Sequence, residues 1–307
     1  MKVSILIRAL NEAENIGRTL ELIGMQDFRG RIEVIVLDTG STDDTAKIAE
    51  RMGAKVFSYD KPFSYGGTIN EGARLASGDI LVVLAAHAFP YDRAWLSELV
   101  GPFEDSGVAA TTSRHVASRD DDPFIRRGIR RRFPVRVVYS YVGCPISVSN
   151  VSAAYRRELV LKYPFDETAK FSEDYIWASE IMRKGYRVVY VPTSVVVHAD
   201  SDIRNLRRQA AQTVAVMSRG RKLRWGLLAF FARFVAMLIY DAPVVLRGRN
   251  RRELLMMSLR RRWNIALAWW AARVGADEQR ARFSWVLLWP LMKASKLRES
   301  FGSGVRS

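Results

Sequence analysis

Polar side chains suited to binding or acid–base chemistry follow three apolar runs, at the point where each run ends. They are residues 8–12 (RALNE), residues 38–43 (DTGSTD) and His87. The run before His87, residues 80–84, is short, rich in β-branched residues and bounded by turn residues, which is typical of a fully buried strand. Ligands of open α/β sheets lie at the carboxyl ends of the strands. The sequence therefore predicts a binding site to which these strand ends contribute.

A fourth candidate is the acidic pair Glu173 and Asp174, which precedes a predicted helix over 175–184. The helix dipole and the free amide groups of the first turn favour carboxylates there, so a capping role alone would explain them. The same position holds a carboxylate rigidly at the rim of a sheet, as a general base requires. The residues alone leave both interpretations open.

The elements that must position these residues alternate between apolar runs and amphipathic segments. This alternation predicts an α/β domain, with a parallel sheet and helices on both faces. No G-x-G-x-x-G is present, which excludes the standard dinucleotide-binding fingerprint. Long helices replace the alternation from residue 204 onward, so we expect a domain over 1–203 and a helical region over 204–307.

The chain of 307 residues carries a formal charge of +16 that is concentrated in its last third. Residues 204–307 hold 22 Lys and Arg against 5 Asp and Glu, and six of the eight tryptophans follow Gly220. Interfacial helices combine basic residues with tryptophan in this way, so we expect contact with an anionic membrane surface. The alternative is packing on the other domain or on a second copy in a homo-oligomer. Nucleic acid is not expected as a partner, because no recognised binding module is present.

Interfacial helices fit this region better than a membrane-spanning helix. The apolar stretch 225–246 contains Arg233, and an arginine at mid-membrane costs about 2.5–3.5 kcal/mol on insertion scales. The first ten residues have too short an apolar run for a signal peptide. The single cysteine, Cys144, fits a reducing compartment. These features predict a protein at the cytoplasmic face of the cell membrane.

Three segments carry a resemblance to a known family. They are residues 5–12 followed by VLDTGSTDDT at 36–45, INEGARLASGDILVVL at 69–84, and Glu173-Asp174 with Trp177. In order and spacing they resemble the family 2 glycosyltransferases over roughly the first two thirds of the chain. The resemblance implies the GT-A fold, in which a nucleotide-sugar-binding α/β sheet merges with an acceptor-binding half.

The resemblance also implies a role for each matching residue. Asp38 would bond the base or ribose of the donor nucleotide, and Asp43 would hold its loop or contact the nucleotide. Asp174 would be the general base that takes a proton from the acceptor hydroxyl, with Glu173 orienting it and Trp177 packing beneath the acceptor. The sugar would be transferred by direct displacement, with inversion at the anomeric carbon. The residues that would line the nucleotide pocket are Ala9, Asn11 and Glu12.

The sequence departs from the family pattern after residue 84. The family usually places Asp-x-Asp there to bind a divalent metal, whereas this chain has Ala85-Ala86-His87. A rhamnosyltransferase-like subset of the family resembles this chain in its HAFP ending (87–90) and in the FSYG loop (63–66). The subset suggests rhamnose, or another hexose, as the transferred sugar.

Two histidines, His87 and His198, are candidate metal ligands because both follow predicted strands, and family members often have a metal-ligating histidine at the latter position. Two imidazoles suit manganese, zinc or a similar ion better than magnesium, although complete sites commonly have three or four protein ligands. A direct contact between His87 and the diphosphate, without metal, is equally compatible. His115, in a segment predicted as a loop, is assigned no site role.

The donor diphosphate requires cations or amide groups. Gly66 and Gly67 can bring backbone amides close to it. The arginines at 126–132 would close over the donor, grip a phosphate-bearing acceptor, or form a solvated basic loop. The function predicted is an inverting glycosyltransferase of polysaccharide and cell-envelope synthesis, with a nucleotide-sugar donor and a lipid-linked or saccharide acceptor. The alternative is a non-catalytic membrane-associated module that retains the fold.

Overall fold

The alternating first part of the sequence forms a parallel sheet. Strands β1 (Lys2–Ala9), β2 (Arg31–Asp38), β3 (Lys55–Ser58) and β4 (Ile80–Ala85) lie in the order β3-β2-β1-β4, all parallel. The structure is a computed structural model that describes residues 1–116, 137–139, 148–169, 172–198, 227–248, 250–259 and 262.

Beyond β4 the sheet becomes mixed. Strand β8 (Ser152–Arg156) is antiparallel to β4 and to β6 (Val108–Val116), and β6 is parallel to β9 (Arg187–His198). The short strands β5 (Ala88–Pro90) and β7 (Val137–Tyr139) pair antiparallel with β9. The expectation of a parallel sheet is therefore correct for the first four strands and for the β6–β9 pair, and wrong for β5, β7 and β8, which are antiparallel to the strands they pair with. Outside the regular strand–helix alternation, the residues of a strand do not indicate its direction, which depends on the partner across the sheet.

Helices cover both faces, as predicted, and β1 shows why. Side chains alternate across a strand, so Ile5 and Ile7 pack with α1 residues such as Ile16, whereas Leu6 packs on the opposite face with Ile69 of α3. These residues are fully buried. The helices of this unit are α1 (Ala13–Gly24), α2 (Thr45–Arg51), α3 (Tyr65–Leu75), α4 (Trp95–Val100), α5 (Arg157–Lys162) and α6 (Glu173–Arg183).

The aromatic-glycine segment after β3 is the start of α3 rather than a loop throughout. The Ser64 hydroxyl caps the helix by accepting a 3.2 Å bond from the Gly67 amide. A Cβ on Gly66 would lie 2.6 Å from the Asp166 carbonyl oxygen, and one on Gly67 would lie 2.5 Å from the Tyr59 hydroxyl. Only glycine permits this close packing.

The chain divides into two compact units, Met1–Asp202 and Ile203–Ser307. In the second unit, helix α7 (Leu227–Arg247) contains Asp241, which is buried. Its carboxylate accepts bonds from Ser258 Oγ at 2.7 Å and from Arg262 Nε at 2.8 Å, which compensates the buried charge. Among the helices described, none combines the length and apolar character that crossing a membrane requires. The tryptophans of this unit and the arginines at 126–132 lie outside the described residues.

Candidate active site

The loops that follow β1 and β2 are bonded to each other at the carboxyl edge of the sheet. The backbone N–H of Asn11 donates to Ser41 Oγ at 2.9 Å, and the backbone N–H of Thr42 donates to Asn11 Oδ1 at 2.8 Å. Asn11 has a positive φ of 54°, a conformation that asparagine tolerates better than most residues. Asp38 Oδ1 accepts from the amide and the hydroxyl of Ser41, at 3.0 and 2.6 Å. Two residues predicted to bind the nucleotide, Asn11 and Asp38, therefore share one hydrogen-bonded unit.

Asp43 joins the beginnings of two helices. Its Oδ2 accepts from the Ala13 amide of α1 at 3.2 Å, and its Oδ1 accepts from the Thr45 amide of α2 at 3.0 Å. The hydrogen bond from the Thr45 hydroxyl lowers the pKa of the exposed Asp43 carboxyl. Because both oxygens are occupied, the geometry favours the loop-holding role of Asp43 over a nucleotide contact. Ala9 lies beside this unit, and its carbonyl oxygen accepts from the Thr39 amide at 3.0 Å.

All three histidines of the chain lie together. The rings of His87 and His198 stack with centroids 5.0 Å apart, and the rings of His115 and His198 are 6.2 Å apart. His87 Nδ1 is 2.7 Å from Glu12 Oε1, which links the β4 end to the β1 loop. The loop prediction for the segment containing His115 is wrong, because β6 continues to Val116 and buries this histidine beside β9.

The cluster is electrostatically asymmetric. Burial, and next the electrostatic influence of His87, lower the pKa of His198 to about 4, so this imidazole is neutral at pH 7. Burial works to raise the pKa of Glu12, but hydrogen bonds from His87 and Asn15 outweigh it and the pKa is lowered. Glu12 is therefore a carboxylate that faces His87.

The described residues do not fit a metal centre as they stand. Within the described ranges no three His, Cys, Asp or Glu side chains are placed to hold one ion. The metal-ligand assignment of His87 and His198 stays a prediction.

Asp174 lies in the first turn of α6, where backbone amides hold its carboxylate. Its Oδ1 accepts a hydrogen bond from the backbone N–H of Tyr175 at 2.7 Å, and its Oδ2 accepts one from the backbone N–H of Asn150 at 3.2 Å. Burial, and next the charge of Glu173, raise the pKa of Asp174 to about 7. A pKa near the working pH is what a general base requires. Ser172, just before the helix, has a positive φ of 58°, a strained conformation of the kind that clusters at functional sites.

Glu173 is held through Asn150, a residue that the sequence analysis missed. Glu173 is 5% exposed, and its Oε1 accepts from Asn150 Nδ2 at 2.9 Å. The Tyr155 hydroxyl donates to Asn150 Oδ1 at 2.5 Å, which fixes the orientation of the amide. Burial raises the pKa of Tyr155 well above its usual value, so the hydroxyl keeps its proton. The polar residues Asn150 and Tyr155 in the apolar segment NVSAAY were the available signal.

Trp177 is a core residue behind this carboxylate pair. Its side chain is 2% exposed, and its Nε1 donates to the Tyr163 carbonyl oxygen at 2.6 Å. The indole stacks on Phe165 and meets Tyr155 edge-on, with centroid distances of 5.3 and 5.1 Å. This burial favours support of α6 from within the core over the direct acceptor contact that the sequence suggested.

A sheet of this order, with polar loops at its carboxyl edge and two carboxylates at a helix start, is the architecture of a GT-A glycosyltransferase. The model of glycosyl transferase family 2 matches residues 4–163, and the chain belongs to this family. The family and the fold predicted from the sequence are both confirmed.

Two relatives are O-antigen chain rhamnosyltransferases. RfbN of Salmonella typhimurium is 28% identical over 210 residues, which cover 65% of this chain and 67% of the relative. WbaN of Salmonella anatum is 27% identical over 177 residues, which cover 54% of this chain and 56% of the relative. The chain thus spans about two thirds of one relative and just over half of the other.

Solved structures show the same fold. The mannosyltransferase PcManGT of Pyrobaculum calidifontis, in complex with GDP-Man and Mn2+, has a TM-score of 0.54 at 20% identity, covering 94% of this chain and 79% of that one. Glucosyl-3-phosphoglycerate synthase of Mycobacterium tuberculosis, in complex with Mn2+, UDP and phosphoglyceric acid, has a TM-score of 0.54 at 24% identity, covering 71% and 78%.

Proposed function

We propose that this glycosyltransferase moves a sugar from a nucleotide-diphosphate donor to an acceptor hydroxyl with inversion, and that Asp174 is the general base. The observation that carries the proposal is the state of Asp174. Its carboxylate is held by two backbone amides, and burial raises its pKa to about 7. A non-catalytic module would have no use for a carboxylate kept in this destabilising position.

The chemistry is a single displacement. The acceptor oxygen attacks the anomeric carbon while its proton passes to the Asp174 carboxylate. The new carbon–oxygen bond forms as the bond from the anomeric carbon to the diphosphate oxygen breaks, and the electron pair leaves with the nucleoside diphosphate. Attack from the face opposite the leaving group inverts the anomeric centre. Glu173, which accepts a hydrogen bond from Asn150, would orient Asp174 for this step.

We propose rhamnose, or another hexose, as the sugar, and a lipid-linked or saccharide hydroxyl as the acceptor. The proposal is supported by two relatives named as O-antigen chain rhamnosyltransferases and by the FSYG and HAFP segments. The nucleotide would occupy the carboxyl edge of the sheet near Asp38, Asn11 and Glu12. Ala9, Asp43, Gly66 and Gly67 would support this pocket from the adjoining turns.

The first prediction is that one nucleoside diphosphate binds saturably in a calorimetric panel of UDP, GDP and dTDP, each measured with EDTA and then with manganese. Manganese is the ion to test because solved structures of the same fold contain it. Tighter binding with manganese that His87→Ala abolishes would assign the histidines to a metal. Binding that ignores manganese would assign His87 to a metal-independent site. Failure of every nucleotide to bind would contradict the proposed function.

We also propose that the second unit docks on the anionic cytoplasmic face of the cell membrane. Helix α7 exposes Val235, Ile239 and Leu246, and the exposed Arg247 and Arg251 are at or just beyond its end. Apolar side chains beside arginines suit an interface of acyl chains and phosphates.

The second prediction is that the protein co-sediments with vesicles containing phosphatidylglycerol and not with pure phosphatidylcholine vesicles, and that high salt weakens this binding. Equal binding to both vesicles, or retention by DNA instead, would contradict lipid docking. Sedimentation equilibrium tests the alternative, in which a second copy of the chain covers the same surface.

A further inference from the structure

One cation at the carboxyl edge of the sheet has no role in the site described so far. Arg8 is the penultimate residue of β1, the strand flanked by β2 and β4. In register it lies beside Leu37 of β2 and Ala85 of β4. Ala85 opens the Ala-Ala-His segment, which contributes no carboxylate of its own. The arginine is therefore central to the edge at which the donor loops meet.

The guanidinium of Arg8 is incompletely satisfied. Its Nη1 is buried and has no hydrogen-bond partner among the described residues. Its Cζ lies 5.3 Å from the ring centroid of Tyr65, the first residue of α3, so an aromatic ring limits its movement. A buried donor without an acceptor is costly, and native structures rarely keep one without a reason. An anion that enters the site would satisfy it.

Arg8 also shares an electrostatic environment with the general base. Burial raises the pKa values of Asp174 and Tyr155, and the positive charge of Arg8 opposes part of this rise. In the described part of the chain, no carboxylate forms an ion pair with Arg8 within 4.0 Å. Arg8 is thus a positive charge that acts on Asp174, and its Nη1 has no hydrogen-bond partner among the described residues.

We propose that Arg8 binds the diphosphate of the nucleotide-sugar donor; this inference rests on the proposed function. A guanidinium presents planar N–H donors that match phosphate oxygens, and such charge-assisted bonds are roughly twice as strong as neutral ones. A fixed cation at this position also stabilises the negative charge that develops on the leaving diphosphate. It supplies positive charge beside a strand end that has lost both carboxylates of the family pattern.

The third prediction concerns how variants of Arg8 change the affinity for two ligands: the nucleoside diphosphate that binds best and its parent nucleoside. We expect Arg8→Gln to weaken the diphosphate on the order of 10- to 100-fold, because charge-assisted bonds are lost, and to change nucleoside affinity less than about twofold. Arg8→Lys should retain part of the affinity, because the charge remains and the planar fork is lost. Arg74→Gln is the matched control, because Arg74 is exposed and pairs with Glu71, and it should alter neither affinity.

The outcomes distinguish a failure of the proposed function from a failure of the Arg8 inference alone. If the wild-type protein binds no nucleoside diphosphate, the proposed function fails and this inference fails with it. If the wild-type protein binds and Arg8→Gln binds equally well, only the inference fails. If Arg8→Gln melts normally but loses affinity equally for the diphosphate and the nucleoside, Arg8 shapes the pocket and the inference is overturned. If Arg8→Gln weakens only the binding of a polyprenyl diphosphate, Arg8 binds the acceptor and not the donor, and the inference is overturned.

Discussion

Asp174→Asn is expected to lower the rate of sugar transfer at pH 7.5 by about 10²- to 10⁴-fold, the usual contribution of general base catalysis. The amide keeps the shape of the side chain but cannot accept the acceptor proton. The affinity for the nucleoside diphosphate should remain within about threefold, because no bond to the donor is assigned to this residue. Transfer of labelled sugar and calorimetric binding measure the two quantities separately. Glu180→Gln, an exposed substitution on the same helix, is the control.

The wild-type rate should depend on pH in a defined direction. The pKa of Asp174 is about 7, so the fraction of active carboxylate falls about tenfold per unit as the pH drops below it. An acid limb near pH 4, the ordinary range of an aspartate, would contradict this environment. Activity of Asp174→Asn equal to that of the wild type would contradict the general-base role and favour the non-catalytic alternative.

The same substitution should make the protein more stable at high pH. Because the folded pKa of Asp174 lies above the unfolded value of 3.8, the folded state binds this proton more tightly than the unfolded state does. The ionised carboxylate therefore destabilises the fold fully above about pH 7, and this effect disappears below the unfolded value. Asp174→Asn should raise Tm at pH 8 and change it little at pH 4. A lower Tm at pH 8 would refute the buried-charge account.

Trp177→Ala is expected to lower the free energy of unfolding by about 3–5 kcal/mol, the usual range for removing a buried tryptophan. The indole fills the space between Phe165 and Tyr155, and its loss would leave a cavity behind α6. Trp177→Phe retains an aromatic ring but removes the bond to the Tyr163 carbonyl, which costs about 0.5–1.5 kcal/mol. Urea denaturation measures both effects.

The two interpretations of Trp177 predict different results for the phenylalanine variant. A core role predicts a small loss of stability and an unchanged KM for the acceptor. Acceptor contact predicts a higher KM at unchanged stability. Tyr91→Ala removes an aromatic side chain that is 68% exposed and serves as the control, with no expected effect on either quantity.

The part of the site built from neighbouring strands was predictable from sequence. Apolar runs that alternate with helices determine parallel strands β1, β2 and β4, and parallel strands bring their following turns to one edge. For this reason Asn11 and Asp38 share one hydrogen-bonded unit, and Glu12 of the same β1 loop contacts His87. The placement of Asp174 follows from a local rule as well, since a carboxylate after a turn begins a helix.

The remaining part depended on pairing between distant segments. Strand β8 inserts antiparallel between β4 and β6, and this brings Asn150 to Glu173 and Asp174. The pairing of β6 with β9 places His115 beside His198, although 82 residues separate them in the sequence. The family, the α/β class and the chemical types at the strand ends were predictable from the sequence, because these follow from local periodicity and motif spacing. Which distant polar groups meet, and which aromatic ring is buried, was visible only in the folded protein, because long-range packing determines these contacts and leaves no periodic signal in the chain.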